Sequence, residues 1–507
     1  MIRPARESVA PARSQWLGTE PRAILLFLVA HVLVFTLVAT LQHAWSTIHH
    51  DMAEAFVWGQ EPQWGYYKHP PVSAWVAGAW FQLFPRTNWA FFLLSASNAA
   101  VGLAGAWALA RRLLDGTGAK AALLLLCLTP FYNFLAMKYN ANSILLSLWP
   151  WTAYAFVRSI EERSARMGVL FGVLAGLAML GKYYSALLLG SCFLASLLHP
   201  EVRAYYRSAA PWLAMAAFAL VISPHVWWAV ENGLPTLEYA ASKTRYPFLE
   251  ILGRAGVAVL TAIAFHLLAL LALGLAYGRR LTSQMSAAWK GLLAPQGRWL
   301  AVLALGPFVL TVASVLLANM RISAQFMIPI FFLLPVLVLK YSSQTEVPRL
   351  LAITHRWVVA LWAVALISAP LVAYLAFTSR TDTAVEPRRE LTAAAVALWQ
   401  SEVGTPLAIV AGTKSFAMAI SFYAPSHPSE FSNFSFEDAP WISADRIARE
   451  GMLIACVAAD SACMAKAGQF AAPGAPPIAR SFAVDFLGKA GPPFDFRLFL
   501  VKGSGKQ

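Results

Sequence analysis

The sequence predicts an α-helical polytopic membrane protein of about eleven transmembrane helices, followed by a small C-terminal α/β domain. Three observations carry that prediction. The 507 residues are 59% hydrophobic and only 13% charged, with a mean hydropathy of +0.58, a composition foreign to soluble domains. Apolar stretches long enough to span a bilayer, or nearly so, recur along most of the chain. After Thr378 the pattern changes to short apolar runs broken by Gly, Pro and Asp.

The N-terminal segment 1–22 carries Arg3, Arg6 and Arg13. No clear small-residue cleavage site follows the apolar run Ala23–Thr40, so that run reads as a retained first helix. Further stretches fall at 89–110, 119–136, 143–158, 167–181, 183–198, 209–230, 252–277, 299–318, 323–340 and 357–377. The fifth and sixth of the eleven are short and meet at Gly181 and Lys182, which leaves this lysine at a membrane face or in a polar cavity rather than in lipid. Loops alternating with these stretches hold about nineteen Lys and Arg on the N-terminal side and about eight on the other, which predicts a cytoplasmic N-terminus. The net charge of +14 thus comes mainly from helix ends, and nothing in it calls for nucleic acid. The outer side then receives the long loop 43–88 and the tail. Boundaries are expected at 1–22 (cytoplasmic), 23–377 (transmembrane) and 378–507 (periplasmic α/β domain). Cys127 and Cys192 lie in apolar runs as small buried hydrophobes. Cys456 and Cys463 stand close together in the more polar tail, where an oxidising compartment would allow a bridge.

Candidate chemistry concentrates in the stretch His49–Trp75, polar and rich in aromatics in an otherwise apolar chain. Asp51 and Glu54 are three apart and share a helix face. One would be a general base toward an acceptor hydroxyl while the other orients it or a neighbour; the same spacing fits an N-cap with a capping box. In WGYYKHPPVSAW, Lys68 and His69 precede Pro70 and Pro71, which forbid helix and present the cations rigidly, either to an anion or as an interfacial turn. Lys182 between apolar runs needs a partner, a cavity or room to snorkel. Arg321, in a short outer turn, could bind a phosphate in bidentate fashion or cap a helix; Arg245, Lys243 and Lys138 are weaker candidates of the same kind. The His49-His50-Asp51 triplet raises a divalent metal as an alternative, but no HExxH-type spacing is present and no metal site is assigned.

These residues also carry a resemblance. An acidic residue soon after the first helix, then YYKHPP and a tryptophan, then a lysine in GKYYS after the fifth helix, resemble the GT-C superfamily of membrane glycosyltransferases. The nearest group is family 39, similar to the protein O-mannosyltransferases and the lipid A aminoarabinose transferase. The likeness covers roughly 20–340 and is specific in Asp51–Trp75. It implies an inverting transfer from a polyprenyl-phosphate-linked sugar to a lipid, polysaccharide or protein acceptor, on the periplasmic side of a bacterial inner membrane. It implies Asp51 as the base and places the donor phosphate with His69 or Lys68, Lys182 and Arg321. Two departures stand out. Lys68-His69-Pro70 replaces a Glu-Lys-Pro run, and Asn140 or Asn142 in KYNANS stands where an acidic residue is expected. A polyprenyl-lipid or glycolipid transporter is the rival reading; such proteins commonly show internal repeats, and none is visible here.

Overall fold

The computed structural model describes residues 19–241, 247–318, 324–379, 385–432, 434–471 and 476–504. Eight helices build the half of the molecule that holds the cavity: α1 (Thr19–Gln42), α2 (His50–Gln60), α3 (Val72–Leu83), α4 (Asn88–Leu113), α5 (Gly116–Cys127), α6 (Leu145–Glu162), α7 (Ala165–Gly181) and α8 (Ala186–Leu198). The helix α4 is central, with 78% of its apolar window buried inside the protein. Around it pack α1 and α6, and α7 lies along the helix Ala210–Glu231. That pair approaches closely because Gly168 and Gly172 face Ala210 and Ala214, where any Cβ would strike backbone. Small residues facing one another in this way are how helices associate where lipid offers no hydrophobic drive.

Among the described residues, six helices are long and apolar enough to cross a membrane, or seven if a bent pair counts as one span. Of the eleven expected stretches, several take another form. The stretch 119–136 bends by 79° between α5 and Pro130–Met137, because proline cannot continue α5. The stretch 252–277 breaks at His266 into Phe248–Phe265 and Leu267–Tyr277. The stretch 323–340 is described from Ala324 as 3-10 turns leading into Leu334–Tyr341, and 357–377 lies inside the longer helix Val347–Thr378. Helices α7 and α8 are short, and the chain between them is extended at Lys182 and 3-10 at Tyr183–Ser185.

The segment 43–88 is not one loop: it contains α2 and α3, which cross at Gly59 and Gly78 with no room for a side chain at either. Of α2, Met52 to Trp58 are buried. The link between them is fixed by the Tyr66 hydroxyl donating to the Trp58 carbonyl at 2.6 Å and by the Trp75 indole donating to the Gln63 carbonyl at 2.9 Å.

The C-terminal part is a five-stranded sheet with β1 (Ile409–Gly412), β2 (Ser429–Glu430), β3 (Met452–Val457), β4 (Ile478–Phe482) and β7 (Phe494–Val501) in the order β2-β1-β3-β7-β4, beside a hairpin of β5 (Asp485–Phe486) and β6 (Lys489–Ala490). The pairs β1–β2 and β1–β3 are parallel, and β7 is antiparallel to β3 and β4. One face buries Trp399 and Phe416, the other Phe431 and Ile447. Cys456 on β3 is disulfide-bonded to Cys463 in the following helix, with Cα atoms 5.7 Å apart. This domain docks on α2 through the helix Lys414–Tyr423. Phe422 lies against Phe56 with ring centroids 4.9 Å apart, the Ile48 amide donates to the Tyr423 hydroxyl at 2.9 Å, and that hydroxyl donates to Asn88 at 2.6 Å.

Candidate functional site

A cavity of about 530 Å³ is walled by α2, the Lys68–Ser73 segment, the Asn140–Asn142 segment before α6 and the junction of α7 with α8. Asp51, Glu54, Lys68, His69 and Lys182, dispersed over more than 130 positions, all line it. Lys68, His69 and Lys182 are delivered by breaks in regular structure, Asp51 and Glu54 by the first turns of α2. Asp51 sits in the first turn of α2, where a carboxylate is favoured by the helix dipole. The cap of that helix is His49, whose Nδ1 accepts from the Asp51 amide at 3.1 Å. That corrects the alternative in which Asp51 caps and Glu54 completes a capping box: Glu54 lies a turn deeper, with its side chain aimed into the cavity.

The two carboxylates have different partners. Asp51 Oδ2 meets Lys138 Nζ at 2.8 Å, and Oδ1 lies 3.3 Å from His50 Nε2. Asn140 donates to Oδ2 at 3.4 Å. Burial pushes the Asp51 carboxyl up, but the His50 hydrogen bond and the Lys138 ammonium outweigh it and hold the group well below the usual carboxylate range. Glu54 is more deeply buried and lies between two ammonium groups, Lys68 at 2.9 Å and Lys414 at 3.2 Å. Burial pulls the Lys68 ammonium down and Glu54 more than restores it, so its pKa ends up raised. Lys414, from the C-terminal domain, also donates to the Tyr67 hydroxyl.

Around Lys182 the cavity has another character. Lys182 donates to Asn142 Oδ1, and its ammonium lies 4.1 Å from the centre of the Phe326 ring. Leu187 and Tyr184 extend this wall. A lysine buried in such a wall has found the polar cavity that its place between apolar runs called for. His69 is half-buried, with its ring against those of Trp58 and Tyr239. Burial, reinforced by Lys182 and Lys68, drives its pKa well below the ordinary histidine value, so it is neutral and offers one N–H rather than a cation. Lys68, expected with His69 as an alternative phosphate ligand, is ion-paired with Glu54.

Arg245, Lys243 and Arg321 lie outside the described residues. The His49, His50 and Asp51 ligand atoms fall within 4.8 Å of one another. His49 Nδ1 is already the cap acceptor and Lys138 holds the inner Asp51 oxygen, so two of the three donors are engaged. Sequence reasoning missed Lys414, Tyr67 and Gln325. Asn142, noted there only as a departure, is the partner of Lys182. Lys414 had no local signal, since it opens an ordinary helix after β1 and gains meaning only through docking.

The family model for dolichyl-phosphate-mannose-protein mannosyltransferases matches residues 68–228, a range that holds Lys68, His69, Lys138 and Lys182. The lipid A galacturonosyltransferase RgtD of Rhizobium johnstonii is 28% identical over 247 residues, or 47% of this chain and 50% of that protein. The chain thus spans about half the length of the curated relative it matches. The crystal structure of ArnT from Cupriavidus metallidurans in the apo state aligns with a TM-score of 0.57 at 14% identity, over 97% of this chain and 100% of that one. The same protein bound to undecaprenyl phosphate aligns at 0.56 and 13%, over 96% and 99%. At such identities the likeness is one of fold, and it extends across both the helical part and the C-terminal sheet. The matched family model, the relative and the fold neighbour are all similar to this chain, and the first two are named for glycosyl transfer.

Proposed function

We propose that the protein is an inverting glycosyltransferase that moves a sugar from a polyprenyl-phosphate donor to a glycolipid acceptor at the periplasmic face of the inner membrane. One observation carries the reading: Asp51 and Lys182 line the same cavity, a carboxylate and a lysine that stands beside the Phe326 ring. The apolar wall of Leu187 and Phe326 suits a polyprenyl chain, and Lys182 with the His69 N–H suits its phosphate. The acceptor oxygen attacks the anomeric carbon from the Asp51 side as the carbon–oxygen bond to phosphate breaks on the other, so the configuration inverts. The bonding pair leaves with the phosphate oxygen, whose growing charge the lysine stabilises away from bulk water. The hydroxyl proton passes to Asp51. With its pKa held low, Asp51 is ionised throughout the physiological range; it orients the hydroxyl first and takes the proton late, as the new bond makes that hydroxyl acidic. Glu54 spaces Lys68 and Lys414 and touches no reacting atom.

The ArnT structure bound to undecaprenyl phosphate and the lipid A specificity in the name of RgtD support the donor and acceptor classes. The charge asymmetry of the loops and the Cys456–Cys463 bridge support the periplasmic side. The same observations support the division into 1–22, 23–377 and 378–507. The test is transfer of radiolabelled sugar by purified protein from a panel of polyprenyl-phosphate sugars to lipid A acceptors, with the anomeric configuration of the product determined. Inverted product is expected. No donor consumption, with labelled carrier lipid crossing liposome bilayers, would replace the reading with a transporter.

A further inference from the structure

A second cavity, of about 420 Å³, opens in the C-terminal domain where β1 and β3 end. In open α/β sheets the crevice beyond the carboxyl ends of parallel strands is where ligands bind, and β1 and β3 are such a pair. Its walls carry Thr413, Lys414, Ser432, Ser435, Asp438 and Lys466, with the Lys466 ammonium 5.9 Å from the centre of the Phe434 ring. Hydroxyls, carboxylates and ammonium groups around one aromatic ring match the alternating hydroxyl and C–H faces of a sugar, and are the opposite of the lipid-facing wall at Lys182. The two cavities are neighbours. A narrow space walled by Trp58, Tyr67, Lys414 and Asp438 lies between them; Trp58 also lines the first cavity, and Lys414, a wall of the second, is paired with Glu54, one turn from Asp51.

We propose that this second cavity is a saccharide subsite, holding sugars of the acceptor that lie beyond the hydroxyl being glycosylated. The inference rests on the transferase reading and adds to it the part of the acceptor that the C-terminal domain recognises. The donor is a single sugar tied by its phosphate to the Lys182 wall, so the space beyond Glu54 falls to the acceptor. Two variants outside the catalytic cavity test this in the full-length protein: Ser435→Trp, which fills the second cavity, and Lys466→Ala, which strips one wall. The probes are lipid A bearing its inner-core sugars and the same lipid A reduced to its disaccharide. The KM for the sugar-bearing acceptor should rise about tenfold in both variants, with kcat, donor KM and the KM for the stripped acceptor unchanged. An unchanged KM for both acceptors, or a rise confined to the donor, overturns the subsite. Hydrogen exchange of wild type with the isolated inner-core oligosaccharide gives a readout independent of turnover. Protection is expected across residues 434–441 and 461–468. Protection without any transfer would sink the transferase reading and spare the subsite; absence of protection would sink the subsite.

Discussion

At the scale of single residues, Asp51, Lys182 and Glu430 each lead to an expected outcome. Asp51→Asn keeps the shape and removes the base, so transfer should fall by roughly 10²–10⁴-fold, the usual worth of such a group. Lys182→Met keeps the packing against Phe326 and removes the ammonium. Hydrogen bonds to charged groups are worth about 1.5–3 kcal/mol, so binding of undecaprenyl phosphate, followed by tryptophan fluorescence, should weaken by roughly 10–100-fold. Glu430 is buried at the domain interface and burial pushes its carboxyl up to about 7. The folded pKa lies above the unfolded one, so the folded state retains a proton that the unfolded chain has lost. Stability is therefore full below the ordinary glutamate range and declines as pH rises towards 7. In Glu430→Gln that decline should disappear, and thermal unfolding at pH 8 should come later than in wild type. Unfolding of this variant with the same pH slope as wild type would contradict the assignment.

At the scale of elements, the site depends on how pieces cross. The contact of Gly168 and Gly172 with the Ala210–Glu231 helix leaves no space for a side chain. Gly172→Leu should therefore force α7 away and displace Lys182 at its end; overpacking of this sort typically costs about 1–3 kcal/mol. Detergent extracts should contain less folded protein, and the remainder should bind carrier lipid poorly. Much of this framework was legible in the chain, because long apolar runs and clustered prolines are local signals. The pairing of α2 with α3 was not: 43–88 reads as a polar loop, since its helices are short, α2 carries His50, Asp51 and Glu54, and Lys68 and His69 stand in the link between the two. The break at His266 was hidden for a related reason, as the residues on both sides of it are uniformly apolar and hydropathy alone marks no boundary. Lys182 could be found from its surroundings, but its partner Asn142 could not, because the two are 40 positions apart and meet only through tertiary packing.

At the scale of the whole molecule, the C-terminal domain is coupled to the site through one ion pair. It supplies Lys414 to Glu54 and anchors on α2 through Phe422 and Tyr423. Lys414→Met should leave Glu54 paired with Lys68 alone, drawing that lysine further from the cavity and lowering transfer severalfold, while Lys414→Arg should restore most of it. Equal activity in wild type and Lys414→Met would reduce the docking to a structural role. The sequence has no motif in the tail to announce this; the contact that matters spans 360 positions between Glu54 and Lys414 and depends on tertiary docking. The central claim is that the carboxylate of Asp51 serves chemistry rather than carrier binding. The direct measurement compares purified wild type with Asp51→Asn, following sugar transfer from polyprenyl phosphate and undecaprenyl phosphate binding on the same preparations. Transfer lost with binding retained is the predicted result; transfer retained by Asp51→Asn at the wild-type rate would contradict the account.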